Sequence, residues 1–157
     1  MPTKKNASRT VSGGLRRLYA IMNKTCGHAH LATIDRTQPW VRSVSPIIAK
    51  DLTIWIATFS RSRKVKHILR NPMVCLQFVS QPDGNQEAVV KGRAKIISNP
   101  AERERAWKLA KYDLTQYFPH GPDSENYCLL RIEPSEIRWR ASWTGGMKVH
   151  KPKRGKR

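Results

Sequence analysis

Residues 30–59 read HLATIDRTQPWVRSVSPIIAKDLTIWIATF, and they show the strand pattern of the chain most clearly. The segment is rich in Ile, Val, Thr and Trp, which strands favour, and turn-forming residues interrupt it at 35–39 and 50–51. These observations predict three consecutive strands, joined as a meander, at 30–35, 40–49 and 52–59.

The same reasoning extends to both sides of this meander. Apolar spacing and capping residues predict helices at 14–23, between Ser62 and Asn71, and at 101–117. Further strands are predicted at 73–80 and 87–98, and segments 127–132 and 137–143 are predicted to form one broken strand or two short strands. Gly92, in the middle of a strand, indicates a bulge or a sharp bend, which is typical of barrels. We therefore expect a mainly β (α+β) fold: a small antiparallel β-barrel of about six strands with two or three flanking helices.

The positive charge of the chain is concentrated at its two ends. The 157 residues contain 30 Lys and Arg against 11 Asp and Glu, a net charge of +19, and residues 1–17 and 147–157 supply eleven of these charges. We expect a disordered basic arm at 1–13, one domain at 14–146 and a basic C-terminal tail at 147–157. Such tails contact polyanions without sequence preference, or only keep the protein soluble.

Other compositional features limit where the protein works. No apolar run approaches the roughly 20 residues that span a membrane, and no secretory signal is recognisable. Cys26, Cys75 and Cys128 are widely spaced and odd in number, so no disulfide framework is expected. These features predict a cytoplasmic protein.

Cationic residues are concentrated at positions 61–70. Arg63 and Lys64 follow the predicted cap Ser62, so they lie in the first turn of a helix, where cations oppose the helix dipole. A bound anion would reverse that cost, because free N–H groups, a hydroxyl and two cations would converge on it. The segment predicts either a phosphate site or a solvated basic helix face.

Two further candidates come from the strands. Arg42 lies within a strand, where it shares a face with Val44 and must point to solvent or to a partner. Cys26, His28 and His30 would line one face of an extended segment, but no fourth ligand is near in the sequence, so no metal site is predicted. No nucleophile motif is present, and no catalytic residue is assigned.

Several motifs recur in the order and spacing of a known family. They are Leu31–Asp35, Pro39 with Val41-Arg42, Ile54–Thr58, Ser62-Arg63-Lys64, Asn71–Val74, Lys91–Ala94, and Glu133-Pro134 followed by Ile137–Trp139. With these motifs the chain resembles the pyridoxamine 5′-phosphate oxidase-related, FMN-binding split-barrel family, and in particular its small general-stress-protein type. The resemblance implies an antiparallel split barrel that forms a homodimer with FMN at the subunit interface.

The resemblance also implies a set of cofactor-binding residues. Arg42, Arg63 and Lys64 would bind the FMN phosphate, with help from Ser62. The flavin ring would lie against further residues of the matching segments: Ser43, Val44, Ala57, Thr58, Glu87 and Trp139. Glu87, or Gln86 beside it, stands where the family has a Gln that contacts the flavin, and a Glu at this position is a departure from the family. Residues 143–148 differ from the segment that binds pyridoxal phosphate in the true oxidase, so oxidation of pyridoxamine phosphate is not expected.

These observations lead to one principal functional hypothesis and three alternatives. The principal hypothesis is an FMN-dependent oxidoreductase that acts on an unidentified small molecule or electron donor. The alternatives are a reductase that binds the deazaflavin F420, a flavin-binding stress protein without turnover, and a nucleic-acid binder that uses the basic tails.

Overall fold

The computed structural model describes residues 12–153. Its helices are α1 (Gly13–Thr25), α2 (Arg63–Arg70) and α3 (Pro100–Leu109). Its strands are β1 (Ala29–Asp35), β2 (Gln38–Val44), β3 (Ile47–Ile48), β4 (Ile54–Phe59), β5 (Met73–Val79), β6 (Glu87–Ile97), β7 (Tyr127–Arg140) and β8 (Lys148–His150).

All eight strands belong to one antiparallel sheet. Seven follow the order β2-β1-β5-β6-β7-β4-β3, and β8 pairs with β7 at the side of this path. The sheet curls around a core of buried aliphatic residues and forms a split barrel with flanking helices. The predicted fold class is therefore confirmed.

Helix α1 packs against β3, β5 and β6 and covers one side of the core. Its N-cap Ser12 accepts a hydrogen bond from the backbone N–H of Leu15 at 3.4 Å. Leu18, Ile21 and Met22 recur at helical spacing and are all buried. The helix predicted at 14–23 is confirmed, with its C-terminal end at Thr25.

The pairing of β6 with β7 is the longest in the sheet of the described residues, and it contains the predicted irregularity. The register shifts between Lys91 and Gly92, where Gly92 faces Pro134. A Cβ at position 92 would lie 2.9 Å from the carbonyl carbon of Glu133, with the carbonyl oxygen closer still. Glycine is therefore required by a close approach of two backbones, and the bulge is confirmed.

Three predicted elements differ from the structure. The strand predicted at 40–49 is two strands, because the chain breaks at Ser45-Pro46, where proline has no N–H for a ladder. The segments 127–132 and 137–143, predicted as one broken strand or two short strands, form one continuous strand, β7, which ends at Arg140. Lys148–His150, within the predicted basic tail, form β8 and pair with β7.

Helix α3 is much shorter than predicted. It begins as expected, with Asn99 accepting from the backbone N–H of Glu102 at 2.9 Å, but it ends at Leu109 instead of residue 117. The Asp113 carboxylate accepts from the backbone N–H of Thr115 at 2.9 Å and opens a separate 3₁₀ turn at Leu114–Gln116. Short polar side chains compete with helices in this way, so the prediction was wrong beyond Leu109.

Parts of the predicted N-terminal arm and C-terminal tail lie outside the described residues. Of the predicted arm at 1–13, residues 1–11 lie outside the described residues, as do residues 154–157 of the predicted tail. No helix in residues 12–153 is long and apolar enough to cross a membrane.

Candidate anion-binding site

The pairing of β1 with β2 directs Arg42 towards the core side of the sheet. Leu31 faces Arg42 across the two strands, and Thr33 faces Trp40. Leu31 and Thr33 are buried, so their cross-strand neighbours lie on the same inward face. Because α2 packs on β1, this face meets the start of α2.

Three acceptors fix one end of the Arg42 guanidinium. Its Nη1 donates to the Leu31 carbonyl at 3.0 Å, to the Thr33 hydroxyl at 2.7 Å and to the Trp40 carbonyl at 3.3 Å. All three acceptors are neutral, so they orient the side chain and leave its positive charge uncompensated.

The start of α2 carries the other two cations. Ser62 occupies the N-cap position, but its side chain accepts no hydrogen bond from the first turn, and that turn contains no acid. The first N–H groups of the helix are therefore available to a ligand. The Lys64 ammonium donates to the Thr58 hydroxyl at 2.8 Å. The Arg63 guanidinium lies over the Trp40 ring, 4.9 Å from its centroid.

Arg42, Arg63 and Lys64 form the cation cluster, and they are close enough to affect one another. Burial, and then the charge of Arg63, lower the pKa of Arg42. Burial, and then the charge of Arg42, lower the pKa of Lys64. Within residues 12–153, no carboxylate forms an ion pair with any of the three. Converging positive charges beside an uncapped helix start are suited to a bound anion with several charges, such as a phosphate dianion.

The other predicted residues of this region surround the cluster in different ways. Thr58 is buried next to Lys64, and its hydroxyl lies 3.5 Å from that of Ser62. Val44 is buried in the main core cluster, and Ala57 is half-buried against a second apolar cluster. Ser43 points to the opposite, exposed face of β2. The structure thus brings Thr58 and Ser62 to the three cations, and Ser43 away from them.

Glu87 begins β6, and Trp139 lies near the C-terminal end of β7. Thr58 pairs with Cys128 on β7, whereas Ala88, next to Glu87, pairs with Trp139. Positions 128 and 139 differ by eleven residues along β7. Around the curled sheet, however, Ala29 pairs with both Val44 and Phe78, and Phe78 pairs with Ala88, so Trp139 lies in the same row of the sheet as Val44. Among the described residues, neither Glu87 nor Trp139 forms a hydrogen bond, an ion pair or a ring contact with Arg42, Arg63 or Lys64.

Both residues are engaged with other side chains. The Glu87 carboxylate forms an ion pair with Arg140 and accepts from the Gln77 amide at 2.6 Å. The Trp139 ring is buried, and the Lys148 ammonium lies 4.8 Å from its centroid.

A comparison with protein-family models identifies the family. The model described as pyridoxamine 5′-phosphate oxidase matches residues 23–140, which contain the whole cation cluster. The chain belongs to this family. The resemblance noted from the sequence is therefore confirmed. No curated protein matched the chain.

Solved structures show the same fold at low sequence identity. General Stress Protein 26 from Bacillus anthracis is 18% identical, with a TM-score of 0.67 over 87% of this chain and 99% of that one. A putative pyridoxamine 5′-phosphate oxidase from Listeria innocua is 21% identical, with a TM-score of 0.69 over 82% and 98%. A heme binding protein from Mycobacterium smegmatis is 13% identical, with a TM-score of 0.70 over 90% of this chain and 59% of that one.

Three residues that the sequence analysis did not assign to the site contact one of the cations or a residue that supports one. Thr33 accepts from Arg42, Trp40 lies under Arg63, and His67 lies behind Thr33 with its Nδ1 2.9 Å from the hydroxyl. Two of them carried a signal in the sequence: Trp40 shares the strand face of Arg42, and His67 is four residues after Arg63 on α2. The role of Thr33 depends on the pairing register, which local patterns do not give.

Other features of the described residues lie away from this cluster. Two surface cavities of about 550 and 490 Å³ run along α3 and share Ala101 and Arg105 in their walls. Neither cavity is lined by a residue of the cation cluster. Within residues 12–153, no group of three or more His, Cys, Asp or Glu side chains is arranged to hold a metal ion.

Proposed function

We propose that the protein binds FMN by its phosphate at Arg42, Arg63 and Lys64, and acts as a flavin-dependent oxidoreductase on a small molecule. The observation that carries this proposal is the convergence of three cations, without a paired carboxylate among the described residues, at the uncapped start of α2. A phosphate dianion would supply the missing negative charge and accept from the free N–H groups.

The residues present fit the phosphate end of FMN in number and chemistry. Arg42 offers a planar fork of donors, Lys64 a compact charge beside the Thr58 hydroxyl, and Ser62 a further hydroxyl. Bound flavin would supply hydride or electron transfer, which no side chain of the cluster can perform. The role of the chain would be to hold the cofactor and to keep its phosphate out of water.

The flavin ring would require a second copy of the chain. Glu87 and Trp139, the residues expected near the ring, make no contact with the cations of the same chain. In the homodimer that the family resemblance implies, these residues of the partner would contact the ring of a flavin whose phosphate lies at the cation cluster, so that FMN would lie at the interface. A dimer with two equivalent sites is the simplest symmetric arrangement.

The charge of the cluster favours FMN over the alternative cofactor F420. FMN ends in a phosphate monoester, which carries nearly two charges at neutral pH, whereas F420 carries a phosphodiester with one charge at the equivalent position. Three converging cations match the more highly charged group better. The absorbance spectrum of the purified protein distinguishes FMN, F420 and heme, since each has its own visible bands.

The decisive test compares FMN with riboflavin, which lacks the phosphate. The parent protein should quench FMN fluorescence on binding and should bind riboflavin much more weakly. The double variant Arg63→Ala/Lys64→Ala should bind FMN about 100-fold or more weakly, because two charge-assisted hydrogen bonds are lost. Its affinity for riboflavin should stay near that of the parent.

A matched control comes from the same segment. Arg61→Ala/Lys66→Ala removes the same charge from two exposed side chains outside the cluster, so FMN affinity should change little. Equal FMN affinity in the parent and the Arg63/Lys64 variant would contradict the proposal, and so would an equal loss in the control. Reduction of bound FMN by NADH or NADPH without oxygen then separates an oxidoreductase from a flavin-binding protein without turnover.

A further inference from the structure

A buried histidine lies directly behind the proposed phosphate site. His67 belongs to α2 and is 2% exposed, which is unusual for a side chain that can carry charge. Its Nδ1 lies 2.9 Å from the Thr33 hydroxyl oxygen, and its Nε2 lies 3.8 Å from the carboxylate of Asp35. Asp35 also pairs with Arg70 at 3.2 Å.

The direction of the hydrogen bonds follows from the single proton of the Thr33 hydroxyl. Thr33 is 1% exposed, and its oxygen accepts from Arg42 Nη1 at 2.7 Å. Its own proton needs an acceptor, and among the described residues the one within reach is His67 Nδ1. With Nδ1 as the acceptor, the ring proton of His67 lies on Nε2, which faces the Asp35 carboxylate.

This chain of hydrogen bonds determines which atoms of Arg42 remain free. All three hydrogen bonds of the guanidinium use Nη1. Its Nη2 and Nε have no partner among the described residues, and they are not among the buried polar atoms, so a ligand can reach them. A guanidinium held by one nitrogen presents the other two as a fork, the geometry that suits two phosphate oxygens.

We infer that His67, acting through the Thr33 hydroxyl, is a positioning residue that holds Arg42 with Nη2 and Nε towards a bound phosphate. The inference rests on the phosphate site proposed above. By accepting the Thr33 proton, His67 leaves the lone pairs of that oxygen free for Arg42 and strengthens the bond between them. His67 touches neither the ligand nor Arg42 directly.

The test uses three single variants and two ligands. Thr33→Val keeps the shape and removes the hydroxyl, His67→Leu removes the acceptor, and His67→Asn keeps an acceptor oxygen near the position of Nδ1. Thr33→Val and His67→Leu should weaken FMN binding about 5- to 10-fold, as expected for one lost hydrogen bond. Neither should change the affinity for riboflavin, and His67→Asn should restore most of the FMN affinity.

Two further measurements separate positioning from a general structural role. The double variant Thr33→Val/His67→Leu should bind FMN about as well as Thr33→Val alone, because both changes break the same chain. Nitrogen-15 NMR of the parent should show His67 protonated on Nε2 and not on Nδ1. The NMR measurement needs no flavin, and circular dichroism checks that each variant is folded.

Each contrary result has a definite meaning. If Thr33→Val and His67→Leu bind FMN as the parent does, or lose FMN and riboflavin equally, the positioning role is wrong. It is also wrong if His67→Asn is no better than His67→Leu, or if Nδ1 carries the proton. If the parent itself does not prefer FMN to riboflavin, the phosphate site fails, and the positioning role fails with it.

Discussion

The ammonium group of Lys64 is the titratable part of the proposed site. Burial, and then the charge of Arg42, lower its pKa, whereas a bound phosphate would raise it again by supplying the opposite charge. Binding therefore takes up a proton wherever free Lys64 would be neutral. FMN affinity should fall as the pH rises through the lowered pKa of Lys64 towards the ordinary value of a lysine.

Fluorescence titrations of FMN from about pH 7 to about pH 10 would measure this loss. Lys64→Arg should remove most of the alkaline decrease, because arginine stays charged throughout this range. An identical decrease in Lys64→Arg would show that another group is responsible. Riboflavin, which lacks the phosphate, should show no comparable dependence.

Single residues also show how far the sequence predicts the site. The alternating pattern of β2 determines the face of Arg42, and the cap Ser62 places Arg63 and Lys64 in the first turn of α2, so the cations could be identified. Thr33, which orients Arg42, could not be identified from the sequence, because it comes close to Arg42 only when Leu31 pairs with Arg42 across β1 and β2. Register is a property of two strands, and local sequence patterns do not contain it.

The bulge at Gly92 leads to a prediction about β6 and β7. A side chain at this position would overlap the backbone of Glu133, which cannot move without disturbing the pairing of the two strands. Gly92→Ala should therefore lower the free energy of unfolding by about 1–3 kcal/mol, the usual cost of overpacking. Urea denaturation of parent and variant would measure the difference.

Gly27→Ala is the matched control for this experiment. Gly27 has no atom within 4 Å of the position that a Cβ would occupy, and it lies in a short 3₁₀ turn. Its replacement should leave the free energy of unfolding nearly unchanged or slightly higher. Equal effects of the two substitutions would contradict the argument from the backbone contact at Gly92.

Elements differ in how well local sequence determines them. The predictions of α1, β1, β4, β5 and β6 hold within a few residues, because these elements have clear apolar patterns. The prediction for α3 was too long, because the residues after Leu109 are compatible with a helix by propensity alone. Leu114 and Phe118 instead pack, with Trp55 and Tyr127, into the second apolar cluster from a turn that Asp113 opens. Tertiary packing overrides a weak local preference here.

The distribution of site residues over the sheet leads to a prediction about assembly. Because Glu87 and Trp139 make no contact with the cations of their own chain, the proposed flavin site takes these two residues from a second copy. FMN should then favour the dimer by mass action, since it binds a site that the monomer lacks. Sedimentation should show a dimer with one FMN per chain.

The coupling between FMN and assembly can be measured with the variants already described. Dilution should lower the FMN affinity of the parent once dimers begin to dissociate, and added FMN should shift the sedimentation of dilute protein towards the dimer. In Arg63→Ala/Lys64→Ala, FMN should produce no such shift, because the phosphate of the cofactor would have lost two of its three cationic ligands. A monomer that binds FMN with the full affinity of the parent would show that one chain holds the whole cofactor without a second copy.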